Sequence, residues 1–150
     1  MNFRGTFDHA LDAKHRLTVP AKYRATLAAG VLLAVSPETR AETPRSVAIW
    51  TPEGYDEYVA TAIGTLNPMS PRARDLARAF NNNSWEAELD SANRVMVPAF
   101  LVQYAGLGKD VTVTGSGTHL EVWDRAAYAS YNQGLLAEFT QLAASVDDTP

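Results

Sequence analysis

Apolar and polar residues alternate in two widely separated stretches of the chain. Phe7, His9 and Leu11 alternate with Asp8 and Ala10, and Trp85, Ala87 and Leu89 alternate with Glu86 and Glu88. A period of two is that of a half-buried strand. Each strand runs into a polar, turn-prone segment, residues 12–15 or 90–93, which predicts a hairpin tip. Residues 17–19 and 95–97 read as the return strands. Pro20 and Pro98 cannot donate to a ladder but fit the first turn of a helix. A short helix is therefore predicted after each, with Tyr23 and Leu27 on its inner face in one and Leu101 and Ala105 in the other. Gly30 and the pair Gly106 and Gly108 stop these helices.

The β-branched runs at residues 31–35 and 111–113 predict strands, as do residues 47–50 and 120–123. A helix follows each Trp: Thr51-Pro52-Glu53 offers an N-cap, a proline at the first helical position and an early acid, and Asp124 caps the second. Tyr55 and Tyr58 share a helix face, as do Tyr128 and Tyr131. A linker at residues 67–71 leads to a predicted helix over 72–80 and a turn at Asn81-Asn82-Asn83. A last helix over 132–145 precedes a tail, residues 147–150, polar enough to be disordered.

These elements occur twice. Phe7 to Ala21 lies over Trp85 to Ala99, sharing an aromatic, Leu-Asp-x-x-x-Arg and Val-Pro-Ala. Ile49-Trp50 with Tyr55 and Tyr58 lies over Val122-Trp123 with Tyr128 and Tyr131. The second block is spaced more closely because the first copy has a longer loop within residues 36–46. Two blocks repeated in the same order indicate duplication.

The chain has 150 residues, enough for one compact domain or two small ones, with 46% apolar and 20% charged residues. It has no cysteine, which excludes disulfides and thiolate metal sites. The first residues lack an apolar run of signal-peptide type, and no stretch approaches the ~18 apolar residues of a membrane span. A cytoplasmic protein is expected. The net charge is −4, and its distribution matters more than its sum. Arg4, Lys14, Arg16, Lys22 and Arg24 face only Asp8 and Asp12 in residues 1–30. Residues 84–110 hold Glu86, Glu88, Asp90 and Asp110 against Arg94 and Lys109.

The planar fork of Arg16 suits bidentate contact with guanine O6 and N7, or a clamp on phosphate. At a hairpin tip it could enter a major groove as part of a β-ribbon, with Lys14, Lys22 and Arg24 attracting phosphates. The structural alternative is that Arg16 pairs with Asp12 and holds the turn; the two roles are compatible. For Arg94, set among acids, the structural role has the stronger claim. Trp50, Trp123 and the paired tyrosines recur at one helical phase and belong to the core rather than to a base-stacking surface. His9, His15 and His119 lack the spacing of a metal site, so neither metal nor cofactor is expected. No nucleophile, P-loop or zinc-protease motif appears, and the reading is non-enzymatic.

The run Gly5-Thr6-Phe7 and Leu11-Asp12-Ala13-Lys14-His15-Arg16-Leu17-Thr18-Val19-Pro20-Ala21-Lys22-Tyr23-Arg24, echoed by Asp90 to Arg94 and Val97-Pro98-Ala99, resembles the MraZ family. These bacterial regulators are relatives of the AbrB and MazE swapped-hairpin proteins, and the resemblance spans nearly the whole chain. It implies an α+β fold in which two tandem AbrB/MazE-like swapped-hairpin β-units form a pseudo-dimeric barrel with flanking helices. The first repeat and its following helix would occupy residues 5–58, a helical linker 59–82, the second repeat and helix 83–131, and a C-terminal helix and tail 132–150. It further implies a nucleoid-associated, sequence-specific DNA-binding transcription regulator, a repressor of the division and cell-wall gene cluster. Such a protein would bind short G-containing direct repeats in its own promoter as a homo-oligomeric ring of about eight or more subunits. The implied DNA contacts are Arg16, Lys14, His15, Arg4, Lys22, Arg24 and Arg94, with Asp12 and Asp90 structuring the turns. The sequence departs from the family where Lys-Gly is common before the motif arginine. His15 and Asn93 stand there instead, two residue types that tolerate φ > 0 better than most, and Ala92 replaces the second lysine. The first copy is therefore expected to face DNA and the second mainly to complete the barrel. The rival reading is a non-enzymatic interaction protein of the antitoxin type, whose C-terminal segment wraps a partner. Two motifs and a tail expected to pack argue against it.

Overall fold

The computed structural model describes residues 2–146, so the disorder expected for residues 147–150 concerns positions outside it. β1 (Thr6–Ala10) leads through the Asp12 turn to β2 (Arg16–Thr18), a 3-10 turn at Ala21–Tyr23 and α1 (Arg24–Leu27). β3 (Val31–Val35), β4 (Val47–Trp50), α2 (Pro52–Ile63) and α3 (Pro71–Asn82) complete the first half. The second half repeats the plan with β5 (Ser84–Ala87), β6 (Arg94–Met96), α4 (Ala99–Ala105), β7 (Asp110–Gly115), β8 (Leu120–Asp124), α5 (Arg125–Ala137) and α6 (Phe139–Val146). The protein is thus α+β, and the longer loop of the first half lies between β3 and β4, as the repeat spacing requires.

The predicted tips are turns, but the strands they join do not pair with each other as local hairpins would. β2 pairs with its counterpart β6, β1 pairs with β7, and β5 pairs with β3, all antiparallel. The result is a six-stranded sheet in the order β1-β7-β8-β4-β3-β5, with β2 and β6 as a separate two-stranded ribbon. The order is a palindrome of the repeat: the first strand of each copy lies on the third strand of the other, and β4 meets β8 at the centre. The two halves are therefore one interleaved body.

One core results. Leu17, Val95, Tyr23, Leu27 and Leu101 from ribbon and short helices pack on Val31, Leu33, Val47, Ile49, Val111, Val113, Leu120 and Val122 from the sheet. The intervening Leu32, Ala34, Ala48 and Trp50 point to the opposite face and meet Tyr55, Tyr58 and Phe80 of α2 and α3. A continuous apolar run in β3 thus reflects burial on both faces. Trp50 lies 5.5 Å from Tyr55 and 5.1 Å from Tyr58, and Trp123 lies 5.3 Å from Tyr128 and 5.6 Å from Tyr131, ring centre to ring centre. The aromatic sets belong to the packing, as expected.

Four details differ from the sequence reading. Pro20 and Pro98 stand one position earlier, as extended N-cap residues. Asn81 and Asn82 end α3 rather than form a turn, because the Asn81 and Asn83 amides each donate to the carbonyl four residues back, both at 2.8 Å. α5 does not stop near residue 131 but continues to Ala137, and the chain bends at Glu138. The C-terminal helices leave apolar side chains unburied, since Leu136 of α5 and Phe139 and Leu142 of α6 are exposed.

Candidate nucleic-acid interface

Each tip is organised by its aspartate. Asp12 accepts from the backbone N–H groups of Lys14 at 2.9 Å and Arg16 at 2.8 Å and from Arg16 Nε at 2.6 Å. Asp90 does the same for Ala92 and Arg94 at 2.9 Å each and for Arg94 Nε at 3.0 Å. The Asp-x-x-x-Arg spacing is thereby explained, because one carboxylate closes the turn and aims the guanidinium. Both carboxyls are held below the usual range, first by the backbone hydrogen bond from the arginine that follows. His15 (φ 57°) and Asn93 (φ 60°) take the left-handed conformation that the tips need.

Exchange of the strands brings the two tips together. In the ribbon Arg16 lies opposite Met96, Leu17 opposite Val95, and Thr18 opposite Arg94. Leu17 and Val95 are buried, so the alternate residues Arg16, Thr18, Arg94 and Met96 face outward. Val97 N–H donates to the His15 carbonyl and Val19 N–H to that of Asn93, at 2.9 and 3.0 Å. Arg94 Nη1 reaches to 3.9 Å from Asp12 Oδ2. One outer face thus carries both motif arginines, with Met96 exposed beside them.

Lys14 and His15 are exposed at the first tip. The other predicted cations gather elsewhere, around the arm before β1 and the short helix. Tyr23 is fully buried, and its hydroxyl accepts the Arg4 N–H at 2.6 Å and donates to the Arg4 carbonyl, while Lys22 Nζ lies 5.6 Å from the ring centre of Tyr23. Gly115 lets the arm cross, since a Cβ there would strike the backbone of Phe3 and Arg4. Arg24 Nε is engaged by the Val19 carbonyl at 3.1 Å. Burial holds the His9 imidazole below its ordinary range, against the opposing pull of Asp8, and the charges of Arg125 and then Arg24 add to the effect.

Lys109 is the cation that sequence order concealed. In sequence it belongs to the acidic second copy, but strand exchange sets it beside the first tip, its carbonyl accepting the Leu11 N–H at 2.8 Å. Asp12, Ala13, His15, Gly108 and Lys109 line one cleft of about 560 Å³. The signal that could have found it was the swapped pairing itself. Among the described residues, no three His, Asp or Glu side chains gather as a metal site, and no helix is long and apolar enough to cross a membrane.

The chain matches the family model described as "MraZ protein, putative antitoxin-like" over residues 2–79 and 81–149. It is similar to proteins named "Transcriptional regulator MraZ" from several bacteria. That of Micrococcus luteus is 37% identical over 139 residues, covering 93% of this chain and 92% of the relative. That of Mycoplasmoides gallisepticum is 32% identical over 146 residues, covering 97% and 98%. That of Nitrosomonas europaea is 36% identical over 128 residues, covering 84% and 83%.

Proposed function

The chain belongs to the MraZ family, and from that premise we propose that it is a transcription regulator that binds double-stranded DNA through the outer face of the β2–β6 ribbon. The observation that carries the reading is the convergence of both Asp-x-x-x-Arg tips on one exposed face. A two-stranded ribbon fits a major groove. Nε of Arg16 is held by Asp12, which leaves the terminal nitrogens to meet guanine O6 and N7. Lys14 and His15 beside it, with Arg4 and Lys22 farther along, supply phosphate attraction and register. Arg24 contributes charge more than reach, given its bond to Val19. The fold reading is a pair of AbrB-like swapped units, supported by the palindromic strand order, with repeats at 5–58 and 83–131, the linker helix between them and the C-terminal segment after.

The finer reading is a cytoplasmic, nucleoid-associated repressor of the division and cell-wall genes, assembled as a ring on direct repeats of its own promoter. Avidity among ring subunits would then multiply weak single-tip contacts. An electrophoretic shift with the DNA upstream of its own gene, against a shuffled duplex of equal length, tests binding and specificity. Preference for the upstream DNA is expected, and equal or absent binding would refute the assignment. Light scattering tests the ring, which predicts a mass several times the 16.3 kDa of one chain; a monomer at micromolar concentration would exclude it. The exposed Leu136, Phe139 and Leu142 of α5 and α6 favour a second reading, an antitoxin-type partner-binding protein. That reading predicts no preference for the upstream DNA.

A further inference from the structure

The loop between β3 and β4, residues 36–46, breaks the repeat, since the matching connection between β7 and β8 covers only residues 116–119. The loop reaches α5, where Arg40 Nη2 donates to the Tyr131 hydroxyl at 3.2 Å and Arg40 Nε lies 3.6 Å from Glu38 Oε1. Two spaces open beside this contact. The first, of about 360 Å³, is lined by Glu38, Glu121, Trp123, Tyr128, Tyr131 and Leu135. The second, of about 190 Å³, shares Tyr131 and Leu135 and adds Arg40, Glu42, Thr43 and Glu138. They therefore adjoin along α5 as one groove. Its described lining carries Glu38, Glu121, Glu42 and Glu138, with Arg40 as the single Lys or Arg. Glu121 is built in: Ser36 and Ser116, which follow β3 and β7, each donate from Oγ to it at 2.5 Å, and His119 Nε2 stands 3.4 Å from Oε2. Each of its oxygens keeps a lone pair for a further donor. Thr43 is 4% exposed, and its hydroxyl has no hydrogen-bond partner among the described residues. An N–H group entering the second space would satisfy it.

We propose that this groove binds a linear aliphatic polyamine, an extended chain of ammonium groups spaced by methylenes. The inference stands apart from the DNA-binding reading. Acids line both spaces, and Tyr131 and Leu135 lie at their junction. That order matches the alternation of charged nitrogen and apolar carbon in such a chain. The ammonium groups gain from the carboxylates and from the rings of Trp123 and Tyr131. The methylenes shed water against Leu135. Arg40 already sets a nitrogen cation against Tyr131 and Glu38, so the protein uses this chemistry at the mouth of the groove. A single metal ion fits less well, because it needs several oxygens converging on one point. These carboxylates are divided between two spaces, and among the described residues no three His, Asp or Glu side chains gather as a metal site.

The test is isothermal titration calorimetry of the full-length protein, without DNA, using spermidine and, at matched ionic strength, magnesium chloride. Spermidine should bind saturably at one site per chain, and magnesium more weakly. The double variant Glu38→Gln, Glu42→Gln should weaken spermidine binding by roughly five- to thirtyfold, the loss of two ion pairs. A second double variant, Asp56→Asn with Glu57→Gln, removes the same charge from exposed positions on α2 and should leave the affinity unchanged. Leu135→Trp alters no charge but fills the junction of the two spaces, and it should abolish binding. A titration that does not saturate, or magnesium bound as well as spermidine, would overturn the proposal. So would equal losses in the two double variants, or a Leu135→Trp protein that binds like the wild type, since either would reduce the effect to net charge.

Discussion

Replacing Arg16 by lysine separates charge from shape at the proposed reading head. The substitution keeps a cation at the tip, so attraction to phosphate persists. What it removes is the fork. Arg16 gives Nε to Asp12 at 2.6 Å and retains two terminal nitrogens on a side chain 31% exposed. An ammonium can bond Asp12 or a base edge, but it cannot span both while presenting two parallel donors. One bidentate contact with guanine contributes about 1–3 kcal/mol of discrimination, equivalent to roughly 5- to 150-fold per tip. Arg94 has less to offer, because one of its terminal nitrogens already lies 3.9 Å from Asp12. Arg16→Lys should therefore lower affinity for the upstream duplex by that factor and leave the shuffled duplex and the salt slope nearly unchanged. Arg94→Lys should do less to discrimination. Anisotropy titrations of both variants on both duplexes measure the difference. Full discrimination by Arg16→Lys would refute base reading by this residue, and equal loss on both sequences would make Arg16 a phosphate clamp.

Two further outcomes are expected. Asp12 and Asp90 have carboxyls held below their ordinary value of 3.8. Their contribution to stability is therefore present above about pH 4 and lost as pH falls through the lowered folded values; the double variant Asp12→Asn, Asp90→Asn should show a flatter decline of Tm in that acid window, and an unchanged decline would contradict the role of the turns. Tyr23→Phe removes a hydroxyl that both accepts from and donates to the Arg4 backbone. It should cost about 1 kcal/mol and roughly 2–4 °C in Tm, with faster amide exchange at Arg4; no change in either would show that the arm is held by packing alone.

Nearly every element is legible because the strands either alternate, as β1 does, or run apolar without break, as β3 and β4 do, and each long helix after a Trp announces its cap. Thr51 accepts from Gly54 N–H at 3.1 Å and Asp124 from Ala127 N–H at 3.3 Å, the bonds that the cap residues predicted. Residue-level patterning could not tell a local hairpin from an exchanged one, since β2 buries Leu17 whichever strand lies beside it; only the family resemblance pointed to interleaving. Lys109 was hidden for the same reason. Its neighbours in sequence are acidic, while its neighbour in space is the first tip. The end of α3 was missed because three asparagines suggest a turn, yet two of them cap carbonyls of their own helix. The bend at Glu138 leaves no signal in the sequence, as Gly134, the residue that might have broken the helix, lies within α5.

The exchange also decides what a half-chain can do. A protein ending at Asn82 keeps β3, β4, α2 and α3 but loses β7 from β1, β6 from β2, β5 from β3 and β8 from β4. Every strand then has an unpaired edge, and the core loses Val95, Leu101, Val111, Val113, Leu120 and Val122. Such a fragment cannot close as a monomer. It can close as a pair, because the native registers are compatible with self-exchange. Arg16 lies opposite Met96, whose counterpart is Thr18, and Val47 lies opposite Val122, whose counterpart is Ile49. A second copy of the first half would offer the same contacts to each strand. Residues 1–82 should therefore fold only as a dimer, with a thermal midpoint that rises with concentration. Mixing them with residues 83–150 should favour the heterodimer, since only that pairing restores the native partner of every strand. Sedimentation and circular dichroism would measure both. A monomeric, cooperatively folded 1–82 fragment would show that the halves are independent domains and that the strand exchange does not hold them together.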